Sequence, residues 1–470
     1  MADILWPAEE LIAGLNGELI AGDLQGADGI SIDSRDIAKN DAFFAIKGDL
    51  FDGHDYTQKA AENGASVIVV SDIKYKVERA GVAIILVDDV LDSLRRLAMA
   101  SRARSKAKIV AITGSVGKTT TKEFLRACLE VCGKTHASIK SFNNHWGVPI
   151  SLARMPKDTQ YGVFEIGMNH LDEITPLVAM VQPHVAIITT VAPAHLGHFK
   201  DLQQIAQAKA EIFSGMMPDG VAILNRDNEF FEYLFDAAQA QNIDDVQSFG
   251  ADEQADMCLL GVELMPNSSL VTAAYKGQKF NYEIGSAGLH QVQNSLGLLL
   301  AVENLGIDLN KVLPMLANIE LSDGRGARVE IAINGGSIVV IDESYNANPA
   351  SMVAAFSVLG AQQPQQTGRR VVVLGDMLEL GIESEQIHAG LAKDILANNI
   401  DVVMACGKDM KNCYDLLPHE KQGGFAQSSS LLADIILNSL QPYDVVMIKG
   451  SLGSQMSNIV NKLKNSKASA

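Results

Sequence analysis

The chain has 470 residues, and at about 150 residues per domain it has room for roughly three domains with separate cores. Its composition, 47% hydrophobic and 20% charged with 39 Gly and 13 Pro, is that of a packed globular protein and excludes a disordered or collagenous chain. The formal net charge of −18 repels a phosphate backbone, so nucleic-acid binding over a broad surface is excluded and any phosphate must be met locally.

The sequence opens without a basic n-region or apolar h-region, and it holds no run of about 18 apolar residues, so a cytoplasmic chain with no membrane insertion is expected. Cys128 and Cys132 fall on a predicted helix that also turns Phe124, Leu125 and Leu129 inward. With no CxxC pair among its five cysteines, the chain is expected to keep them as reduced core thiols rather than metal ligands.

Short apolar runs recur at 67–70, 84–87, 109–113, 163–166, 185–191, 221–224, 338–341, 371–374, 402–405 and 445–448, most of them separated by helix-length segments. That alternation predicts an α/β fold with mostly parallel sheets covered by helices on both faces. Boundaries are placed at the basic stretch 101–108 and at the glycine- and charge-rich stretch 322–328, giving domains 1–104, 105–328 and 329–470. Gly335-Gly336 signals a hairpin, 362–368 reads as a surface loop, and the stretches near 104 and 328 are expected to act as hinges.

Residues 109–121, Ile-Val-Ala-Ile-Thr-Gly-Ser-Val-Gly-Lys-Thr-Thr-Thr, read as a strand, a glycine loop and a helix start. Amides of Gly114, Ser115, Val116 and Gly117, with the helix N-terminus at Lys118, Thr119 and Thr120, offer positive potential to a phosphate. Lys118, expected on an exposed loop, adds a point charge, and the Thr119 hydroxyl can ligate Mg²⁺. The usual GxxxxGK[ST] pattern fails at its first position, where Ile112 stands.

Glu165 closes an otherwise apolar strand; buried, it needs a cation such as Mg²⁺, and the alternative is a strand-end carboxylate in water or beside an Arg. His195, with His198 after it, follows the next strand at the sheet's carboxyl edge, where α/β crevices form; it is either a metal or phosphate contact or a structural histidine. In 201–213, helical spacing puts Leu202, Ile205, Lys209 and Ile212 on one face, so Lys209 interrupts an apolar stripe, which a snorkelling lysine also does.

Together these segments resemble the Mur ligase family. Asp33-Ser34-Arg35, 43–48 and Phe51-Asp52-Gly53-His54 resemble the family's uridine-sugar reader. The loop 113–119, 143–149, Glu165-Ile-Gly, His195, 208–213, 290–294 and Gly324-Arg325 fall in family order. Asp342-Glu343-Ser344-Tyr345-Asn346, 375–381 and Lys449-Gly-Ser451 are similar to the D-alanyl-D-alanine-adding branch.

The resemblance implies three domains: a smaller α/β UDP-sugar domain, a central P-loop-type ATP domain and a C-terminal Rossmann-like domain. It implies an ATP-dependent ligase that joins D-alanyl-D-alanine to UDP-N-acetylmuramoyl-tripeptide through an acyl phosphate in peptidoglycan synthesis, acting as a monomer. Lys118, Glu165, His195 and Lys209 are then catalytic. Thr119 and Glu165 hold one Mg²⁺, and His195 and Lys209, the latter as a carbamate, hold a second. Asn294, Arg325 and Asp342 hold the nucleotide, with Glu343 the alternative to Asp342. Ser34, Arg35, Lys47, Asp52, His54, Asn143, Asn144, Tyr345 and Asn346 bind substrate. The diamino-acid-adding branch and, in another class, a P-loop nucleotide switch are the alternative readings.

Overall fold

The computed structural model describes residues 4–466 apart from Tyr75, Lys76, Glu78, Ala80, Lys140 and His195. Its described strands form three large sheets and one small antiparallel pair, Trp6–Pro7 with Gly26–Ala27.

The first sheet runs in the order Glu18–Ala21, Ala83–Leu86, Val67–Val70, Asp41–Phe44, Gly29–Ser31. All but the first of these strands are parallel to their neighbours. Gly29–Ser31 has three residues, too few to stand out in the sequence, and Asp41–Phe44 opens on a charge, whereas Val67–Val70 is an unbroken apolar run; all four side chains of each of the latter two strands are buried.

The second sheet has the order Gln278–Ile284, Ser269–Tyr275, Met257–Leu264, Asp245–Gly250, Val221–Asn225, Val185–Ile188, Lys108–Thr113, Tyr161–Glu165, Thr135–Ala137. It is parallel from Thr135–Ala137 to Met257–Leu264 and antiparallel beyond. Helices Lys118–Glu130, Leu289–Asn304 and Leu309–Ala317 cover one face through Phe124, Leu296 and Val312. Gly147–Ala153, Ile174–Val181, Leu202–Ala210 and Phe231–Ala240 cover the other through Leu152, Ile174, Ile205 and Leu234. Alternating polar residues hide the antiparallel strands from a search for continuous apolar runs, because one face of them meets solvent. The strand predicted over 185–191 ends at Ile188, since Thr189 and Thr190 leave the sheet to bond the glycine loop.

The third sheet has the order Ala327–Ile333, Gly336–Glu343, Val445–Lys449, Arg370–Leu374, Val402–Cys406, Gln422–Ala426, parallel except for its first pair. Its opening hairpin pairs Ile333 with Gly336, so the turn is Asn334-Gly335 rather than Gly335-Gly336, with Gly335 at φ +87° as such a turn requires. The expected surface loop at 362–368 starts on a buried residue: Gln362 donates to Pro266 O (2.9 Å) of the second sheet and accepts from Arg328 Nη2 (2.8 Å).

The expected hinge near 104 is a clasp. Helix Val90–Arg104 carries Arg102, which donates to Val181 O (2.9 Å) and Gln182 O (3.0 Å). Arg104 stacks on Trp6 with 3.4 Å to the ring centroid, and Trp6 Nε1 donates to Ala153 O (2.8 Å). Trp6, Leu11 and Leu94 share one core with Ile150 and Ala153 of the second unit. Pivoting there would expose packed apolar surface.

Candidate active site

The strand Lys108–Thr113 lies between Tyr161–Glu165 and Val185–Ile188, so their carboxyl ends meet at one crevice. Thr113 leads into Gly114 at φ +148° and Gly117 at φ +88°, after which helix Lys118–Glu130 begins. These glycines explain how the loop forms without the glycine expected at position 112, where Ile112 is buried in the strand. A Cβ on Gly117 would lie 2.5 Å from Asn294 Nδ2, which places Asn294 directly behind the loop. The helix start has no side-chain cap, and its first residues face a cavity of about 890 Å³.

Lys118 is half-buried rather than exposed, and its Nζ donates to Gly114 O (2.6 Å). Burial lowers its pKa from the ordinary lysine value; Glu165 opposes the shift and Arg325 adds to it. Thr119 Oγ1 donates to Glu165 Oε2 (2.7 Å), and Asn143 Nδ2 donates to Glu165 Oε1 (2.7 Å). Glu165 is 1% exposed, so the strand-end carboxylate in water is excluded, and its recorded partners are a hydroxyl and an amide rather than an Arg. Ser115 Oγ donates to Ala192 O (2.8 Å), and Thr189 Oγ1 donates to Val116 O (2.6 Å), which fix the loop to the neighbouring strand's exit.

The cavity's far wall comes from the third sheet. Arg325 Nη2 donates to Ser141 Oγ (2.9 Å) while its guanidinium stands 4.1 Å over the Tyr345 ring, and Tyr345 and Asn346 line the cavity. Of the two acids left open, Glu343 lines the cavity, paired with Lys449 Nζ at 3.1 Å. Asp342 turns inward, 3% exposed, and accepts from Ser344 Oγ (2.6 Å). Asn144 accepts from Gly147 N (2.9 Å) ahead of helix Gly147–Ala153 and does not line the cavity.

Lys209 is 3% exposed on helix Leu202–Ala210, and no hydrogen bond or ion pair to it is recorded among the described residues. Burial, with Lys118 adding to it, lowers its pKa well below the ordinary value. His195 lies outside the described residues. His198 is exposed and stacks edge-on with His170 at 4.7 Å between centroids.

The other expected substrate residues gather at the carboxyl edge of the first sheet, apart from this cavity. Arg35 pairs with Asp33 (2.7 Å) and is exposed, as is Lys47. Ser34 is 7% exposed, and its carbonyl accepts from Asn63 Nδ2 (2.7 Å). His54 is 4% exposed: Ser71 N–H donates to its Nε2 (3.0 Å), so Nδ1 carries the proton toward Asp52 Oδ1 (2.6 Å). Desolvation pushes the Asp52 carboxyl up, and the hydrogen bonds from the His54 amide and ring together outweigh it, so its pKa lies below the usual value. His54 therefore sets Asp52 in place, and Asp52 is the more accessible of the two.

Sequence reasoning missed Ser138 and Ser141, and it named Lys449 within a family-like segment without giving it a place at the site. Lys449 carried the signal that exposed Glu165, a charge closing an apolar strand, and it is 2% exposed. Loop serines carry no such signal.

Three family descriptions match the chain: Mur ligase family, catalytic domain, over residues 27–102; Mur ligase middle domain over 112–302; and Mur ligase, glutamate ligase domain, over 325–452. The UDP-N-acetylmuramoyl-tripeptide–D-alanyl-D-alanine ligase of Rickettsia prowazekii is 34% identical over 97% of this chain and 99% of that protein. The Escherichia coli protein of that name is 31% identical over 95% and 97%. The crystal structure of MurF from Acinetobacter baumannii superposes with a TM-score of 0.84 at 31% identity, covering 98% of this chain and 99% of that one. With three family descriptions falling in order along its length and relatives above 30% identity matching it end to end, the chain belongs to the Mur ligase family.

Proposed function

We propose that this chain is an ATP-dependent, ADP-forming ligase that joins D-alanyl-D-alanine to UDP-N-acetylmuramoyl-tripeptide in peptidoglycan synthesis. The observation that carries this reading is the cavity in which Lys118, the Thr119–Glu165 pair and the Tyr345–Asn346 wall face one another, in a chain whose full-length relatives bear that name.

A carboxylate is a poor acyl donor because its leaving group would be oxide. Transfer of the ATP γ-phosphoryl to a carboxylate oxygen breaks the bond to the β–γ bridging oxygen and yields ADP and an acyl phosphate. The dipeptide amine then attacks the acyl carbon, the C–O bond to phosphate breaks, and the amine releases a proton. Lys118 and the loop amides of Gly114 to Thr120 oppose the charge on the phosphoryl oxygens. Asn294 and Arg325 hold the nucleotide, and Glu343 rather than Asp342 is the acid that faces it.

The hard oxygen donors Thr119 Oγ1 and Glu165 Oε2, buried and 2.7 Å apart, fit Mg²⁺. Bound Mg²⁺ supplies charge neutralisation at the transferred group. His195 and a carbamate on Lys209 would hold a second ion. Ser34, Arg35, Lys47 and Asp52, with His54 behind Asp52, would read the uridine-sugar end, and Asn143, Tyr345 and Asn346 face the reacting end. The enzyme is placed in the cytoplasm, with ATP and the nucleotide-linked precursor, as a monomer. Among the described residues no helix is long and apolar enough to cross a membrane.

Incubation with ATP, UDP-N-acetylmuramoyl-tripeptide and D-alanyl-D-alanine, followed by mass spectrometry, tests the reading. A product heavier by the dipeptide less one water is expected, with one ADP per product. ADP formation only with a free diamino acid, or ATP turnover without product, overturns it.

A further inference from the structure

Helix Ile174–Val181 begins with no side-chain cap of its own. Its free amides are met from 36 to 39 residues away by Glu211. Oε1 accepts from Asp172 N (2.7 Å), and Oε2 accepts from Ile174 N (3.0 Å), Thr175 N (3.1 Å) and Thr175 Oγ1 (3.3 Å). A carboxylate is favoured there by the helix dipole and by the orphan N–H groups of the first turn.

The two segments joined in this way both carry site residues. Upstream of the capped helix, the chain leaves strand Tyr161–Glu165 at Glu165 and passes Gly167, whose N–H donates to Asn143 O (2.8 Å). A Cβ on Gly167 would lie 2.8 Å from Asn143 Cγ, so that turn is packed against the amide that holds Glu165. On the other side, Glu211 follows helix Leu202–Ala210 and stands two residues after Lys209. Ile212 and Phe213 share a core with Ile174, Leu177 and Val178, and this apolar packing fixes how close the segments lie. Dispersion and burial are not directional, so packing alone leaves sliding along the helix axis weakly opposed. The four hydrogen bonds to Glu211 supply that register.

We propose that Glu211 is a positioning residue that sets the placement of Lys209 relative to Glu165, and through it the affinity of the site for its divalent cation. The proposal rests on the ligase reading above for the identity of the cation, and it deepens that reading.

The test uses the full chain with Glu211→Gln and Glu211→Ala, and with Asp308→Ala as a control that removes the cap of a remote helix. Mn²⁺ binding in the presence of ADP is followed by electron paramagnetic resonance, alongside melting temperature and steady-state kinetics. Both Glu211 variants are expected to bind Mn²⁺ at least fivefold more weakly and to lose at least tenfold in kcat, with KM for the UDP precursor within twofold of wild type. The Asp308 variant is expected to lose a comparable few degrees of melting temperature with Mn²⁺ binding unchanged. If the Glu211 variants melt lower but bind Mn²⁺ and turn over as wild type does, Glu211 is a helix cap only and the proposal fails. Should Glu211→Ala not fold, Glu211→Gln, which retains the side-chain length and one acceptor, decides alone. Absence of ligase activity in the wild-type chain overturns the ligase reading instead, and the Mn²⁺ titration still reports on Glu211.

Discussion

Thr119 Oγ1 and Glu165 Oε2 meet at 2.7 Å, joining the first turn of a helix to the end of the strand beside it. This short bond ties the helix behind the glycine loop to a buried acid whose carboxylate Asn143 also holds and whose backbone amide donates to the Ser138 hydroxyl. Several consequences of this arrangement are open to measurement.

Replacement of Lys118 by Ala removes a half-buried ammonium whose Nζ donates to Gly114 O. Its effect falls on turnover rather than on folding, because the charge it opposes develops in the transition state. Turnover is expected to drop at least a hundredfold with a melting temperature near wild type. A loss within about threefold, under 1 kcal/mol of barrier, would contradict the phosphate assignment.

Asn143 and Asn144 are adjacent in sequence and part company in space. Asn143→Ala strips a donor from the buried Glu165 carboxylate, at a cost of about 1–3 kcal/mol in stability, and is expected to reduce turnover at least tenfold. Asn144→Ala loses only the bond to Gly147 N, about 1 kcal/mol by analogy with helix caps, with turnover kept within threefold. Unfolding curves and steady-state rates on the two variants separate these outcomes. Equal losses of turnover would return Asn144 to the substrate site.

The α/β character was legible because buried parallel strands such as Val67–Val70 and Val371 to Leu374 read as unbroken apolar runs. The antiparallel extension Met257–Leu264, Ser269–Tyr275, Gln278–Ile284 was not, since its side chains alternate between a packed and a wet face. Glu165 and the glycine loop are legible for the complementary reason: a charge in an apolar strand and a Gly-x-x-Gly-Lys-Thr run between a strand and a helix are both locally improbable. Asp342 and Glu343 are not told apart in the sequence because adjacent residues on a strand point to opposite faces, and nothing local says which face meets the cavity. The stretch 101–108 reads as a linker because the long-range contacts of Arg102, and those of Trp6 with the same neighbouring unit, leave no mark on a basic, polar stretch.

That clasp changes where motion is expected. With the first two units sharing a core, closure over the substrates falls to the stretch 322–328, where polar contacts such as Arg328 to Pro266 O (3.1 Å) and Gly197 N to Glu379 O (2.8 Å) bridge the cavity's walls. Adding an ATP analogue and UDP precursor should alter hydrogen exchange around 197, 266, 328 and 379 and lower the radius of gyration in scattering. Exchange at 150–154 should stay as it is. Loss of protection around Trp6 and Ala153 on ligand addition would restore a hinge near 104.

Lys209 offers the sharpest chemical consequence. Its amine is buried, and burial together with the Lys118 charge holds its pKa well below the ordinary lysine value of 10.5. The unfolded chain therefore binds a proton at this site that the folded chain has shed, so in CO₂-free buffer stability rises with pH across that interval and levels off near 10.5. Lys209→Met is expected to abolish this rise. A neutral amine is also a nucleophile: it forms an N–C bond to CO₂ and gives its proton to water, which leaves an anionic carbamate with two hard oxygens. A carbamate would turn the repulsion between Lys118 and Lys209 into attraction and would supply the hard oxygens that the proposed second Mg²⁺ needs. Bicarbonate should accordingly raise the activity of CO₂-depleted enzyme. Lys209→Ala should lose turnover that formate or acetate partly restores by standing in for the missing anion. A lysine that merely spans an apolar stripe predicts the opposite on both counts: near-normal turnover in the alanine variant and no response to either acid.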